Sequence, residues 1–207
     1  AAMTSAQRVR ATTTVFPPAQ TGFSFTFYQH RAEFTGLRPA TRYFYRVLVD
    51  SQVPTGDPPL GELSFATAPV SGPFRFLALG DSGAGTFEQA EVAARMRSEP
   101  ASLVLHTGDV VYLSGNHATY QNYYFDSYRD MMSRIPFFPV LGNHDVLQDA
   151  GASFVALLDF PASGVPAEDR GRYYSFDWSD VHFVAVDSNL LPDVERSARM
   201  LAWLEQD

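Results

Sequence analysis

Residues 74–81 read FRFLALGD, and the way this run ends decides the fold. Phe76, Leu77, Ala78 and Leu79 are apolar without alternation, the pattern of a strand buried on both faces. Gly80-Asp81 stops the run. Residues 86–99, TFEQAEVAARMRSE, then take helical spacing, with Phe87, Ala90 and Ala94 on one stripe. Residues 102–109, SLVLHTGD, repeat the strand and its ending, now at Gly108-Asp109. A second helical pattern, TYQNYYFDSYRDMMSR, follows, and its Tyr120, Tyr123, Tyr124 and Tyr128 are expected to pack a helix against the sheet. Residues 136–145, PFFPVLGNHD, supply a third strand ending at Gly142-Asn143. Strands that alternate with helices predict right-handed βαβ units and a mixed, largely parallel sheet. YYSFDWSD and VHFVAVDS read as two further strands joined by a tight polar turn, and VERSARMLAWLEQD as a closing amphipathic helix.

The polar residues fall where such a sheet would use them. Asp81, Asp109 and Asn143 are 28 and 34 residues apart, close to the length of a βαβ repeat. Parallel strands connected in this way put their C-terminal ends on one edge, where open α/β sheets bind ligands. The three side chains are therefore expected to converge. A glycine immediately before each lets the backbone turn sharply and approach a cation closely.

Upstream, residues 22–68 read as β. SFTFYQH alternates, LRPATRYFYRV places Leu37, Tyr43, Tyr45 and Val47 on one side, VPTGDPPLGE is dense in turn formers, and ELSFATAP forms another short strand. The LxPxTxYxYxV pattern resembles the corner and following strand of fibronectin type III modules, in which a tyrosine hydroxyl ties the corner together. Tyr43 and Tyr45 are read as core residues. The expected organisation is a small, incomplete β-sandwich-like domain over residues 1–69, followed by an α/β domain over 70–207.

With 45% hydrophobic and 18% charged residues in 207, the chain can bury a sizeable core. No apolar run reaches the roughly 18 residues of a membrane span, and AAMTSAQRVR lacks the apolar segment of a secretory leader, so no membrane partner is expected. Without cysteine, any metal must be held by Asp, Glu, His, Asn or Tyr. The net charge of −8 gathers in the second part: residues 72–207 carry nine Arg against nineteen acids, which argues against a nucleic-acid partner and suits a bound cation.

The ordered set Gly80-Asp81-Ser82-Gly83, Gly108-Asp109-Val110-Val111-Tyr112 and Gly142-Asn143-His144-Asp145 resembles the metallophosphoesterases, and within them the purple acid phosphatases. Calcineurin-like relatives carry Asp-x-His in the first motif. Here Gly83 stands at the histidine position and Tyr112 appears in the second motif, as in purple acid phosphatases, and YYSFDWSDVHFVAVDS is similar to that family's central hairpin. The resemblance implies two metal ions: Asp81 and Tyr112 on a ferric first site, Asn143 on a second site holding ferrous iron, zinc or manganese, and Asp109 bridging both. It implies hydrolysis of a small phosphomonoester by a metal-bound hydroxide. His144 would contact or protonate the substrate and Asp145 would orient His144. Asn143 also borders the substrate, and His117, though expected to be solvent-exposed, could reach the mouth of the site. His106 and His182 read as core histidines, and His30 receives no role. The same metals could instead serve a phosphodiesterase or nucleotidase, and the chain could be a non-catalytic interaction module. A secreted or periplasmic location is the family expectation.

The family pattern continues with a Val-x-x-His and a Gly-His-x-His that this sequence does not contain. The expectation is a chain cut at both ends. The strand VHFVAV would then keep an open edge and apolar surface, leading to homo-oligomers or to completion by a further segment.

Overall fold

The computed structural model describes residues 7–54 and 63–207, so most of the turn-rich loop VPTGDPPLGE lies outside the described residues. The elements run β1 (Thr12–Phe16), α1 (Pro18–Thr21), β2 (Phe27–Arg31), β3 (Arg42–Tyr45), β4 (Leu63–Ala66), β5 (Phe76–Leu79), α2 (Phe87–Ser98), β6 (Leu103–His106) and α3 (His117–Thr119). A π-helical stretch, Tyr120–Phe125, joins α3 to α4 (Asp126–Met132), followed by β7 (Phe137–Pro139), α5 (Ala152–Leu157), β8 (Tyr174–Trp178), β9 (Val181–Ala185) and α6 (Val194–Gln206). No helix among these is long and apolar enough to cross a membrane.

The parallel unit is as the sequence predicts. β5 pairs with β6 and β6 with β7, both parallel, with Leu79 opposite His106 and His106 opposite Pro139. The strand ends are thus level, and the loops after them share one edge. Leu103 and Val104 of the central strand are fully buried. Over this sheet lies the helical run 117–132, whose Tyr120, Tyr124 and Tyr128 are buried as expected. Ala93 and Met96 of α2 join the same core.

Two details differ. The buried face of α2 is Gln89, Ala93 and Met96, while Phe87 is 73% exposed. Gln89 is drawn inward because its amide closes two backbone groups: it accepts from Gly85 N–H and donates to the Tyr123 carbonyl. Among the described residues the β8–β9 hairpin pairs only with itself and does not extend the parallel sheet. It is tied to that sheet by rings instead: Phe176 stacks on Phe138 at 3.7 Å, and Phe183 meets Phe76 at 5.9 Å. Tyr174 adds a hydroxyl bond to the Pro139 carbonyl at 2.8 Å. Val181 and Val184 of β9 remain exposed. α6 is amphipathic as read, burying Met200 and Trp203 with Tyr173 and Leu190.

In the region expected to be a sandwich, the described strands form two separate antiparallel ribbons, β1–β2 and β3–β4. The tyrosine corner is present: Tyr43 Oη accepts the Arg38 N–H at 2.7 Å. Tyr43 and Tyr45 are only partly buried, because each ribbon leans on the α/β part rather than on a facing sheet. Gln29 donates to the Leu157 carbonyl and Tyr45 to the Ser133 carbonyl, both at 2.8 Å. Between the second ribbon and residues 132–136 runs a mainly apolar groove of about 450 Å3, lined by Tyr45, Phe65, Ile135 and Trp178 among others.

Candidate metal centre

The level ends of β5, β6 and β7 bring Asp81, Asp109 and Asn143 to one open cavity of about 300 Å3. The loops that carry them are laced together by backbone bonds. Asp81 N–H donates to the Gly108 carbonyl at 3.1 Å, Ser82 N–H to the Asp109 carbonyl at 3.3 Å, and Tyr112 N–H to the Gly83 carbonyl at 2.8 Å. Such lacing requires bare backbone. A Cβ on Gly83 would lie 1.9 Å from the Val110 carbonyl oxygen, and one on Gly142 would lie 2.0 Å from the Asp109 nitrogen. This gives Gly83 a steric reason as well as a chemical one: with the second loop this close, no histidine fits there.

Asp81 and Asp109 have φ of +54° and +50°, the left-handed region that costs a non-glycine residue of order 1 kcal/mol. The lacing holds them there, and the turned backbone aims both carboxylates into the cavity. Tyr112 completes the group: its hydroxyl proton is shared between Asp81 Oδ1 at 2.6 Å and Asp109 Oδ2 at 3.0 Å. Desolvation, followed by these two carboxylates, pushes the phenol well above the ordinary tyrosine range. A second contact fixes Asp109, whose Oδ1 accepts the His144 backbone N–H at 2.9 Å.

Three oxygens thus surround one proton at a point where a cation could replace it, a fit to a hard metal ion. Asn143 offers an amide oxygen across the same cavity, with Asp109 between the two positions. Among the described residues there is no cluster of three or more His, Cys, Asp or Glu, so the donor set here is two carboxylates, one phenol and one amide.

Asp145 requires a correction. It does not orient the imidazole of His144. Its carboxylate is fully buried and accepts four hydrogen bonds, from Val110 N–H at 3.0 Å, Val111 N–H at 3.2 Å, Gly142 N–H at 2.8 Å and Tyr120 Oη at 2.9 Å. Burial raises its pKa, with the same donors opposing. Asp145 therefore bolts the third loop to the second. His144 is held instead by the Leu113 carbonyl, 2.8 Å from Nδ1. A carbonyl can only accept, so Nδ1 carries the proton and Nε2 is the nitrogen left for other work. Its ring lies against Tyr112, centroids 4.5 Å apart.

The other histidines separate clearly from the cavity. His117 is not exposed: it is buried at 4%, with Nδ1 2.9 Å from Ser153 Oγ and its ring against Phe16 of the first ribbon. His106 is buried in β6 as expected, with Nε2 2.8 Å from Ser82 Oγ, and desolvation lowers its pKa to about 4 against the opposing pull of Asp81 and Asp109. His182 is exposed rather than core. It lies between Asp177 at 2.7 Å and Asp207 at 2.9 Å, and those hydrogen bonds raise its pKa. His30 meets Thr13 within the first ribbon.

Sequence reasoning missed one wall of the cavity. Ser188 and Asn189, on a 3-10 turn (Ser188–Leu190) after β9, line it opposite Gly142. Asp187 caps that turn by accepting from Asn189 N–H. The signal was present: VHFVAV also ends in a short polar run, Asp187-Ser188-Asn189, as the three parallel strands do.

Comparison with known proteins agrees with this architecture. The family described as calcineurin-like phosphoesterase matches residues 74–197. Purple acid phosphatase 15 of Arabidopsis thaliana is 29% identical over 86% of this chain and 38% of its own length. Purple acid phosphatase 23 of the same plant is 30% identical over 86% of this chain and 44% of its own. The chain thus spans less than half the length of these relatives. Among solved structures, purple acid phosphatase PPD1 from yellow lupin (Lupinus luteus) seeds superposes with a TM-score of 0.66 at 16% identity, covering 96% of this chain and 41% of that one.

Proposed function

This chain belongs to the calcineurin-like phosphoesterase family, and from that premise we propose that its strand-end donors serve a purple acid phosphatase-type centre that hydrolyses small phosphomonoesters. The observation that supports the reading best is the meeting of Tyr112 Oη with Asp81 and Asp109, at 2.6 and 3.0 Å, on the edge where Asn143 also arrives. Asp81, Asp109 and Tyr112 would hold ferric iron, which a phenolate suits, and Asp109 with Asn143 would hold ferrous iron, zinc or manganese. Bound there, two cations would supply an activated water and neutralise charge developing on the phosphate.

The chain's own residues have separable tasks in this reading. Asp109 is held by His144 N–H on one oxygen and by Tyr112 on the other, so it is pre-aimed to bridge. His144, with Nδ1 committed to the Leu113 carbonyl, presents Nε2 to a phosphate oxygen or to the leaving alkoxide. Asp145 keeps both loops in register without touching substrate.

Turnover of an aryl phosphate by the full-length, metal-loaded protein tests the proposal. Asp109→Ala is expected to lower kcat at least a thousandfold with loss of metal, and His144→Ala to lower kcat about a hundredfold with metal content retained. Full activity in Asp109→Ala would remove the proposal.

A further inference from the structure

The wall that completes the cavity is supported by a buried ionic network that no motif contains. Asp187 is fully buried and pairs with Arg172, whose side chain is 12% exposed, at 3.2 Å. The second arm of the Arg172 guanidinium donates to the Ala150 carbonyl. On its other oxygen Asp187 accepts from Asn189 twice, from the backbone N–H at 3.0 Å and from Nδ2 at 2.8 Å. An amide nitrogen has two hydrogens, so one remains. It is aimed at the carbonyls of Leu141 and Gly142, at 3.5 and 3.4 Å.

The geometry of these contacts has a definite sense. Leu141 and Gly142 lead into the third loop, and Ala150 lies at its exit. Arg172 grips the exit, Asn189 grips the entrance, and buried Asp187 couples the two grips. We infer that Arg172, Asp187 and Asn189 form a clamp on the loop of residues 141–150, and that Asn189 is a positioning residue for Asn143. The inference rests on the reading of Asn143 as a metal donor. Asp145 fixes the loop to its neighbour on the inner side, and the clamp fixes its two ends from the hairpin side. The Arg172–Asp187 pair of the clamp is buried, so its charges act at close range and removing one partner strands the other. The amide contacts to the two carbonyls are long and shared, which makes them an adjustable stop rather than a rigid weld.

A divalent-metal titration of the full-length protein, with manganese as the probe and iron already in the first site, tests the clamp. Asn189→Ala and Asn189→Leu both remove the donor, and the leucine keeps the packing volume, so a result is available even where the alanine variant fails to fold. In a folded variant the expected result is at least a tenfold weaker manganese affinity with the tyrosinate–iron absorption band unchanged. KM and kcat for an aryl phosphate would both worsen at subsaturating manganese, and kcat would recover when manganese is raised. Wild-type manganese affinity in folded Asn189→Leu would overturn the clamp. Asn143→Ala separates the two layers of the argument: if it leaves manganese affinity intact, the donor reading has failed, whereas if it abolishes binding and Asn189→Leu does not, only the clamp has failed.

Discussion

The strand-end edge and the N-terminal ribbons are both made of short segments and turns, yet they are held by different means. At the edge, backbone touches backbone. Gly83, Gly108 and Gly142 sit where a single added carbon would meet main-chain atoms at 1.9–2.9 Å, and one buried carboxylate, Asp145, accepts from two loops at once. The ribbons touch the rest through side chains instead: the Phe16 and Phe27 rings on His117, Gln29 on Leu157, Tyr45 on Ser133, and the exposed Arg31–Asp159 pair. A site that must keep oxygens in place to a fraction of an ångström needs the first kind of contact. The second kind tolerates substitution and permits displacement.

The largest test of this contrast is a pair of alanines. Gly142→Ala drives a Cβ against Asp109 and is expected to cost at least about 4 kcal/mol and to abolish metal binding. Gly36→Ala, at a ribbon corner with φ of +69° and nothing within 4 Å, is expected to cost about 1 kcal/mol. Thermal unfolding compares them, and equal losses would erase the distinction.

Next in size is a pH effect confined to the edge. His106 stays neutral in the folded chain down to about pH 4, whereas an unfolded histidine takes up its proton near 6.5. The unfolded state therefore binds more protons in that window, and stability falls as pH is lowered through it, by about 3 kcal/mol in total. Urea unfolding at a series of pH values should show the fall, reduced in His106→Asn. His182 works in the opposite sense: its raised pKa contributes stability below the ordinary histidine value that is lost as pH rises through the folded one. The smallest effect is expected from Tyr43→Phe, which removes the corner bond to Arg38 in a half-exposed setting, at about 1 kcal/mol. Metal affinity should not change, and a loss there would mean that ribbon and edge are coupled.

Much of the edge was legible because its signals are local. Three apolar runs ending in glycine and a polar residue announce strands, their direction and their common rim, and these are properties of eight or ten consecutive residues. Asp145 was misread because its partners Val110 and Val111 are 35 and 34 residues away and are backbone groups that no side-chain pattern reports. His117 was placed in solvent because its loop is polar, but Phe16, a hundred residues earlier, covers it. The wall of Ser188 and Asn189 was missed for a related reason: ring stacking, rather than strand pairing, positions the hairpin before it. Helix α2 buried Gln89 in place of the apolar stripe because two backbone groups needed closing. In each case at least one deciding partner is distant in sequence.

The chain has two tryptophans, and they sit in different neighbourhoods. Trp178 lines the groove beneath the second ribbon, and Trp203 packs its ring 4.9 Å from Tyr173 while donating to the Ser163 carbonyl. Each indole is therefore a native fluorophore assigned to one neighbourhood. With Trp203 replaced by phenylalanine, the remaining emission becomes an optical gauge of the ribbon alone, shifting to the red when solvent enters the groove and remaining blue while the ribbon stays seated.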